Sequence, residues 1–502
     1  MRSWKQLLTL SILFSRPQLK IARHKEGDFE LFGFKNKERD ATLWSISSLM
    51  NNYQLAIIGS GSGGREATLL AARKGLRTAL IERDRLGGTC FHRGCYAVLA
   101  LQACARQFRD SWRSGRFGNK VGLLKETLSG WMTVQSNVSS RLVDTFRADL
   151  ERLNVHLYQG YGQLLDNRTI QVIDARGSKT NITADNVIVA TGSRPDIHRS
   201  PGTRVVNSDQ LLSMPTVPGK LAIIGAGYIG CEFASIYSTL GCEVTLIEKE
   251  GRVLSGWESE AGERVAEMLE MRGVTIQVDR NIFLDQIKEH ETGVRIPEAG
   301  GQSVEADLVL VATGRKPNSE ELGLGALGIE DNSFLKVDQS MRLPSPGLYA
   351  LGDVNGISLL DSTAFSQASV AINSILGHES RLDYRWIPRC IHTEPSVAAV
   401  GWTQQEAAAQ GIECLTVSDT IRLVSDSERS LVDPEPTFLK VVVDSRSRHL
   451  LGCLVAGDHA PVIANIAAIA MRSGLTVDKL REIPLAQPSA SDVLMAILRK
   501  LD

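Results

Sequence analysis

The stretch LAIIGSGSGG, beginning at Leu55, returns almost unchanged as LAIIGAGYIG from Leu221. In the first copy Gly59, Gly61 and Gly64 follow an apolar strand pattern and open a helix-like run, REATLLAARKG; a second strand pattern, TALIE, then ends at Glu82. In the second copy Gly225, Gly227 and Gly230 precede CEFASIYSTLG, and VTLIE ends at Glu248. The spacing from first glycine to glutamate is the same in both, so each is a complete βαβ fingerprint. The first glycine makes a tight turn, the second lets a pyrophosphate approach the backbone, and the third lets helix and strand pack closely. The phosphate sits on the helix N-terminus. The carboxylate ending the second strand accepts hydrogen bonds from ribose hydroxyls and repels a 2′-phosphate. Glu248 therefore favours NADH over NADPH, although Lys249 and Arg252 follow closely. A lone glycine motif is often only a turn; two full units in one chain imply two dinucleotides.

Each unit is later closed by an apolar strand ending in Ala-Thr-Gly: VIVATGSRP at Val187 to Pro195 and LVLVATGRKP at Leu308 to Pro317. These mark where domains change hands. The first nucleotide unit is expected over 50–194, a second inserted over 195–313, and a return to the first over 314–385. In that return LYALGDV ends an apolar strand with a glycine and Asp353, which alone reads as a surface turn. An amphipathic helix is expected from Arg141 to Arg152, then strands near Val155 to Tyr158 and Ile170 to Ile173. Over 386–502 the pattern changes to short β-like runs, at Ser396 to Val400, Phe438 to Val443 and Leu450 to Val455. An Ala-rich helix (Pro461 to Arg472) and a final helix (Ser489 to Lys500) follow. The fold class is thus α/β, with two Rossmann-like domains, the second inserted in the first, and a C-terminal α+β domain for association.

A chain of 502 residues with 43% hydrophobic and 23% charged residues has room for about three cored domains. Its net charge of -1 argues against nucleic acid or an anionic membrane as a partner. No apolar run reaches the roughly 18 to 20 residues of a membrane span. Eight cysteines fit a reducing, cytoplasmic setting in which any disulfide is catalytic. The first 25 residues lack acids and contain LLTLSILF, which leaves organellar import open. The simpler expectation is that Met50 begins the folded protein and that 1–49 is an extension or disordered arm.

Just after the first unit comes GGTCFHRGC, with Cys90 and Cys95. Two thiols at this spacing can close a disulfide only where a loop runs into a helix, with Gly88 and Gly94 supplying backbone freedom. The spacing alone fits a redox pair or two buried free thiols. His92 and Arg93 between them read as solvated loop residues.

In order and spacing, these motifs resemble the pyridine nucleotide-disulfide oxidoreductases, in the branch holding dihydrolipoamide dehydrogenase and mercuric reductase, from about Gln54 to the C-terminus. The resemblance implies FAD held by Gly59, Gly61, Gly64 and Glu82, with Asp353 on its ribityl chain. It implies NAD held by Gly225, Gly227, Gly230, Glu248 and Gly314. Cys90 and Cys95 would form the redox-active disulfide, Cys95 against the flavin and Cys90 facing substrate, in a homodimer. No metal ligand is implied.

The chain departs from that pattern at three places. Tyr96, Ala97, Val98 and Leu99 replace the segment carrying a flavin-side lysine, which leaves Glu232, the acid that would pair with it, to raise its pKa or recruit water. In LAQPSASD, Gln487 replaces the general-base histidine and Asp492 its orienting acid; Gln cannot take a proton. His392 and His459 are alternative bases, though both read more simply as interface histidines. No cysteine follows Cys453 to pass metal inward, and Cys104, Cys231, Cys242, Cys390 and Cys414 read as buried. The expected activity is electron exchange between NADH, FAD, the pair and a small disulfide, dithiol or lipoyl protein. A metal-ion or quinone reductase needing no base, and a redox-sensing flavoprotein with little turnover, are the alternatives.

Overall fold

The computed structural model describes residues 20–23, 29–32, 51–113, 127–197, 204–297, 303–422 and 436–501. The expectation for 1–49 falls almost wholly outside them, as does Met50; within it Lys20–Arg23 pairs antiparallel with Phe29–Phe32.

The first fingerprint strand, Asn52–Ile58, is buried continuously from Leu55 onward. One face packs on the helices Ser62–Arg73, Thr127–Arg152 and Asp361–Ile375, the other on the strands Tyr161–Leu164 and Thr169–Ile173 and the turn at Leu324–Leu327. The strand pairs in parallel with Thr78–Glu82 on one side and with Lys179–Val189 on the other. Lys179–Val189 is the branch point of this one seven-stranded sheet. Its exposed first half pairs antiparallel with Thr169–Ile173, while the buried Val187–Val189 lie parallel to both Asn52–Ile58 and Leu348–Ala350. The strand of LYALGDV is thereby brought beside the first fingerprint across a long stretch of sequence. The helix predicted from Arg141 begins earlier and runs Thr127–Arg152.

The second fingerprint builds its own parallel sheet in the order Val205–Val206, Leu308–Val311, Lys220–Ile224, Glu243–Ile247, Thr275–Gln277. A separate three-stranded meander, Lys288–His290, Gly293–Pro297 and Ser303–Ala306, packs against it. The two chain crossings meet: Ser193–Pro195 and Arg315–Pro317, directly after the Ala-Thr-Gly strands, pair antiparallel.

The C-terminal sheet is antiparallel, ordered Arg389–Ile391, Ser396–Gly401, Leu450–Gly457, Thr437–Asp444, Cys414–Ile421. Helices Ala460–Arg472 and Ser491–Leu498 bury their apolar faces against it. This module is pinned to the helix Cys95–Arg113. Gln102 donates to the carbonyls of His392 and Thr393 at 2.7 and 3.0 Å, and Arg106 and Arg109 pair with the buried Glu394. Among the described residues no helix is long and apolar enough to cross a membrane.

Candidate active site

The redox segment is a short helix, Gly88–His92, a break at Arg93 and Gly94, and the long helix Cys95–Arg113. The expected junction is present, but its glycines divide the work differently. Gly87 and Gly88 take left-handed φ of 98° and 62°. Gly94 does not; it is small because a Cβ would lie 3.2 Å from the Thr89 carbonyl oxygen. Cys90 ends up buried and Cys95 exposed. Their sulfurs and a carboxylate oxygen of Asp361 all lie within 4.8 Å of one another. The Cys90 thiol is pushed up, first by its hydrogen bond with Cys95, then by burial, with the charges of Cys95 and Asp361 adding.

His92 and Arg93 are half-buried, neither fully solvated nor in the core. His92 Nε2 lies 3.0 Å from the Leu86 carbonyl, and burial holds its pKa down. Arg93 pairs with Asp84 at 2.8 Å and Asp209 at 3.7 Å. Both brace the loop.

A cavity of about 930 Å³ runs from the first fingerprint past the two cysteines, a size that suits a large cofactor. Gly59, Gly61, Glu82, Cys90, Cys95 and Asp353 all line it. Gly59 has φ 102°, and Gly64 is required behind it, since a Cβ there would sit 1.9 Å from the Gly59 carbonyl oxygen. A Cβ on Gly61 would meet no protein atom within 4 Å, so this glycine leaves space on the cavity side. Glu82 accepts from the Ser60 N–H (2.9 Å), the Ser60 hydroxyl (2.6 Å) and the Asp84 N–H (2.8 Å), which fixes its carboxylate at the strand end. A vacant approach to backbone N–H groups beside an oriented carboxylate fits an adenosine diphosphate moiety. At the far end Asp353 accepts from Ser193 Oγ at 2.5 Å, and Arg315 donates to the same hydroxyl at 2.7 Å. Burial still pushes the Asp353 carboxyl up.

The second fingerprint repeats this stereochemistry. Gly225 has φ 101°, Gly230 would clash with the Gly225 carbonyl at 1.9 Å, and Gly227 faces open space. Glu248 accepts from the Ala226 N–H at 2.6 Å and the Glu250 N–H at 3.0 Å. Gly314 sits where the strand Leu308–Val311 passes into Arg315–Pro317, at φ 159°. These five lie outside the cavity wall, which the helix Tyr228–Thr239 enters through Tyr228, Ile229, Glu232 and Phe233.

Glu232 lines the cavity, as does Leu99, which stands in sequence where the resemblance would put a lysine. Its carboxylate accepts the His392 backbone N–H at 2.8 Å, and burial pushes its pKa up to about 7. Of the alternative bases, His392 lines the cavity with Nδ1 3.7 Å from Cys390 Sγ, and burial holds its pKa down. His459 is exposed at the start of the helix Ala460–Arg472 and is not part of the wall. Gln487 is likewise exposed and outside it. Cys390 and Cys414 are only half-buried, against expectation, whereas Cys104, Cys231, Cys242 and Cys453 are buried. Asp361 was missed because no motif covers it. The only signal was an acid opening the helix after LYALGDV.

A dithiol set in the wall of a cavity that a dinucleotide fingerprint opens into defines a dinucleotide-dependent oxidoreductase acting on sulfur. Comparison with known proteins agrees. Residues 53–374 match the family model described as pyridine nucleotide-disulphide oxidoreductase, and residues 387–497 match that family's dimerisation domain. The chain belongs to this family, whose members use FAD and NAD(P)H. It is 33% identical over 458 residues to the dihydrolipoyl dehydrogenase of Chlamydia pneumoniae, covering 89% of this chain and 96% of the relative. It is 29% identical to that of Geobacillus stearothermophilus, covering 88% and 94%. Among solved structures, LpdA from Mycobacterium tuberculosis aligns with a TM-score of 0.82 at 26% identity, covering 89% of this chain and 99% of that one. The HOCl-induced flavoprotein disulfide reductase RclA from Escherichia coli, as its Cu(II) complex, shares the fold at a TM-score of 0.79 and 24% identity, covering 90% and 100%.

Proposed function

We propose that the chain is a cytoplasmic, homodimeric, NADH-dependent flavoprotein that exchanges electrons with a small disulfide or a lipoyl group through Cys90 and Cys95. The observation that carries this reading is the meeting of the two sulfurs in the wall of the cavity opened by the first fingerprint. Bound FAD supplies two-electron transfer between nicotinamide and disulfide. Gly59, Gly61, Gly64, Glu82 and Asp353 would hold FAD; Gly225, Gly227, Gly230, Glu248 and Gly314 would hold NAD. Cys95, open to the cavity, takes the flavin side, and Cys90 is the sulfur attacked. In dithiol oxidation a substrate thiolate attacks Cys90 Sγ, the Cys90–Cys95 bond breaks, and Cys95 leaves as a thiolate. The homodimer is supported by an apolar stripe on the helix Ala460–Arg472, where Val462 is 49% and Ile469 65% exposed. The same helix turns Pro461 and Asn465 to the cavity, so a second subunit seated there would lie beside the site.

The test is anaerobic reduction of the purified flavoprotein by NADH or dithionite. Long-wavelength thiolate–flavin absorbance is expected, and is lost in C95S. If the wild-type protein shows none, the redox-pair reading is discarded.

A further inference from the structure

Asp361 opens the helix Asp361–Ile375, without a side-chain cap before it, and lines the cavity. Its carboxylate lies within 4.8 Å of both Cys90 Sγ and Cys95 Sγ, and its Oδ1 is buried with no hydrogen-bond partner. A buried carboxylate oxygen left unsatisfied carries a desolvation penalty unless a proton donor comes to it. The donor at hand in the reduced pair is the Cys90 S–H. Geometry comes first in recognising a proton acceptor, and a distance of this order is bridged by a rotamer change or one water. Gln487, by contrast, has no basic atom.

We propose that Asp361 is the general acid–base group of the Cys90–Cys95 dithiol, an inference that rests on reading the two cysteines as a redox pair. When the reduced pair meets a substrate disulfide, Asp361 accepts the Cys90 S–H proton as Cys90 Sγ attacks. The substrate S–S bond breaks, a mixed disulfide forms on Cys90, and the departing thiolate takes the proton from Asp361. Cys95 Sγ, as the flavin-side thiolate, then attacks Cys90 Sγ. The mixed disulfide breaks, the second product leaves as a thiolate that takes a proton from water, and the Cys90–Cys95 disulfide remains. Two electrons and one proton have moved from the pair to the substrate, water supplies the second proton, and Asp361 has handed on the proton it took.

The charge of Asp361 acts in a second way. A carboxylate beside thiols opposes their ionisation, and it contributes to the upward push on Cys90. Cys90 is therefore held as a thiol near neutral pH and becomes nucleophilic as its proton leaves. The other groups facing this cluster are Tyr96 on the redox helix and Asp353 at the strand end, both of which feel the Asp361 charge. From the first fingerprint helix, Arg65 lies over Phe365, one turn along from Asp361, and Ser62 hydrogen-bonds Cys90.

The experiment compares wild type, D361N, D361S and D361E as FAD-loaded full-length protein. The reduced protein is alkylated with iodoacetamide across pH 5.5 to 10, and the Cys90 and Cys95 peptides are read by mass spectrometry. Reduction of a small aromatic disulfide is followed at pH 7. D361N and D361S are expected to move the Cys90 alkylation midpoint down by about one pH unit, yet to slow disulfide reduction by about 10-fold or more, with D361E restoring the rate. More thiolate with slower exchange is a result that a purely structural role does not produce. An unmoved midpoint, or an exchange rate that rises with the thiolate fraction, overturns the proposal. Peptide mapping of the oxidised protein separates the two levels. A missing Cys90–Cys95 disulfide removes the redox-pair reading and this one with it; a disulfide present alongside an unmoved midpoint overturns only the role of Asp361.

Discussion

The backbone N–H of His392 donates to Glu232 Oε1 at 2.8 Å, tying the C-terminal module to a carboxylate beside the dithiol cavity. That single neutral donor does not offset burial, and the Glu232 carboxyl is pushed up to about 7.

A pH dependence follows from the sign of this shift. The folded pKa lies above the ordinary value of about 4.3, so the folded state binds the proton more tightly than the unfolded chain. The associated stability is complete below about pH 4.3 and is lost as pH rises through about 7, a change of about 3 kcal/mol. E232Q keeps the neutral shape at every pH. Its apparent Tm should equal that of wild type near pH 4 and exceed it by several degrees at pH 8 in thermal scans of the FAD-bound protein. A difference that stays flat between those pH values would show that Glu232 has a normal carboxyl.

The two fingerprint glycines that bracket a turn should fail in different ways. A side chain at Gly61 meets no protein atom, so G61V is expected to fold and to purify without FAD. At Gly64 even one methyl group falls 1.9 Å from the Gly59 carbonyl oxygen, so G64A should lose about 3 kcal/mol or more and express poorly. Flavin absorbance per mole of soluble protein checks both. Full FAD content in G61V would mean that the pyrophosphate does not pass over this residue.

Much of this architecture was legible because the constraints are local. Strand, glycine turn, helix and terminal acid must follow one another in sequence, so both fingerprints and both crossing strands could be read directly. The polar edge strand Cys414–Ile421 went unseen because its half-exposed surface carries no strong apolar pattern. In the site, Cys90 and Cys95 announce themselves by spacing. Asp361 and Cys390 do not, because each reaches the cavity through tertiary packing: one at a helix start set by the strand Leu348–Ala350, the other on a module held by Gln102, Arg106 and Arg109. The role expected of Gly94 failed, and those of His92 and Arg93 held only in part, for a similar reason. Their contacts with Thr89, Leu86, Asp84 and Asp209 are made only once the loop has closed.

The exposed stripe of Val462 and Ile469 should be covered by a second copy of the chain. Charge in the middle of such a face costs far more in the dimer than in the monomer. V462E combined with I469E is expected to convert the dimer to a monomer in analytical ultracentrifugation at micromolar protein, with FAD retained. A double variant that stays dimeric would place the interface elsewhere.

Gln487 bears on which substrates turn over quickly. Asp361 lies at the pair and serves the Cys90 proton, whereas a dithiol substrate brings protons that must be removed before its sulfur can attack Cys90. A positioned general base contributes about 10²- to 10⁴-fold in such a step, and an exposed glutamine offers none. Oxidation of free dihydrolipoamide should therefore be slow at neutral pH and rise steeply towards the thiol pKa, where hydroxide does the work of the absent base. In Q487H, whose ring the proposed homodimer would carry to the opposite subunit's cavity, the rate at pH 7 should rise at least about 10-fold and the pH profile should flatten, because imidazole ionises near neutrality. Asp492, five residues on, has Oδ2 accepting the Ser489 N–H at 3.0 Å and Oδ1 buried without a partner, which leaves an acceptor for such a ring. Stopped-flow measurement of flavin reduction by dihydrolipoamide in both proteins decides the matter. Wild-type rates already as high as those of Q487H would mean that proton removal from the substrate does not depend on residue 487.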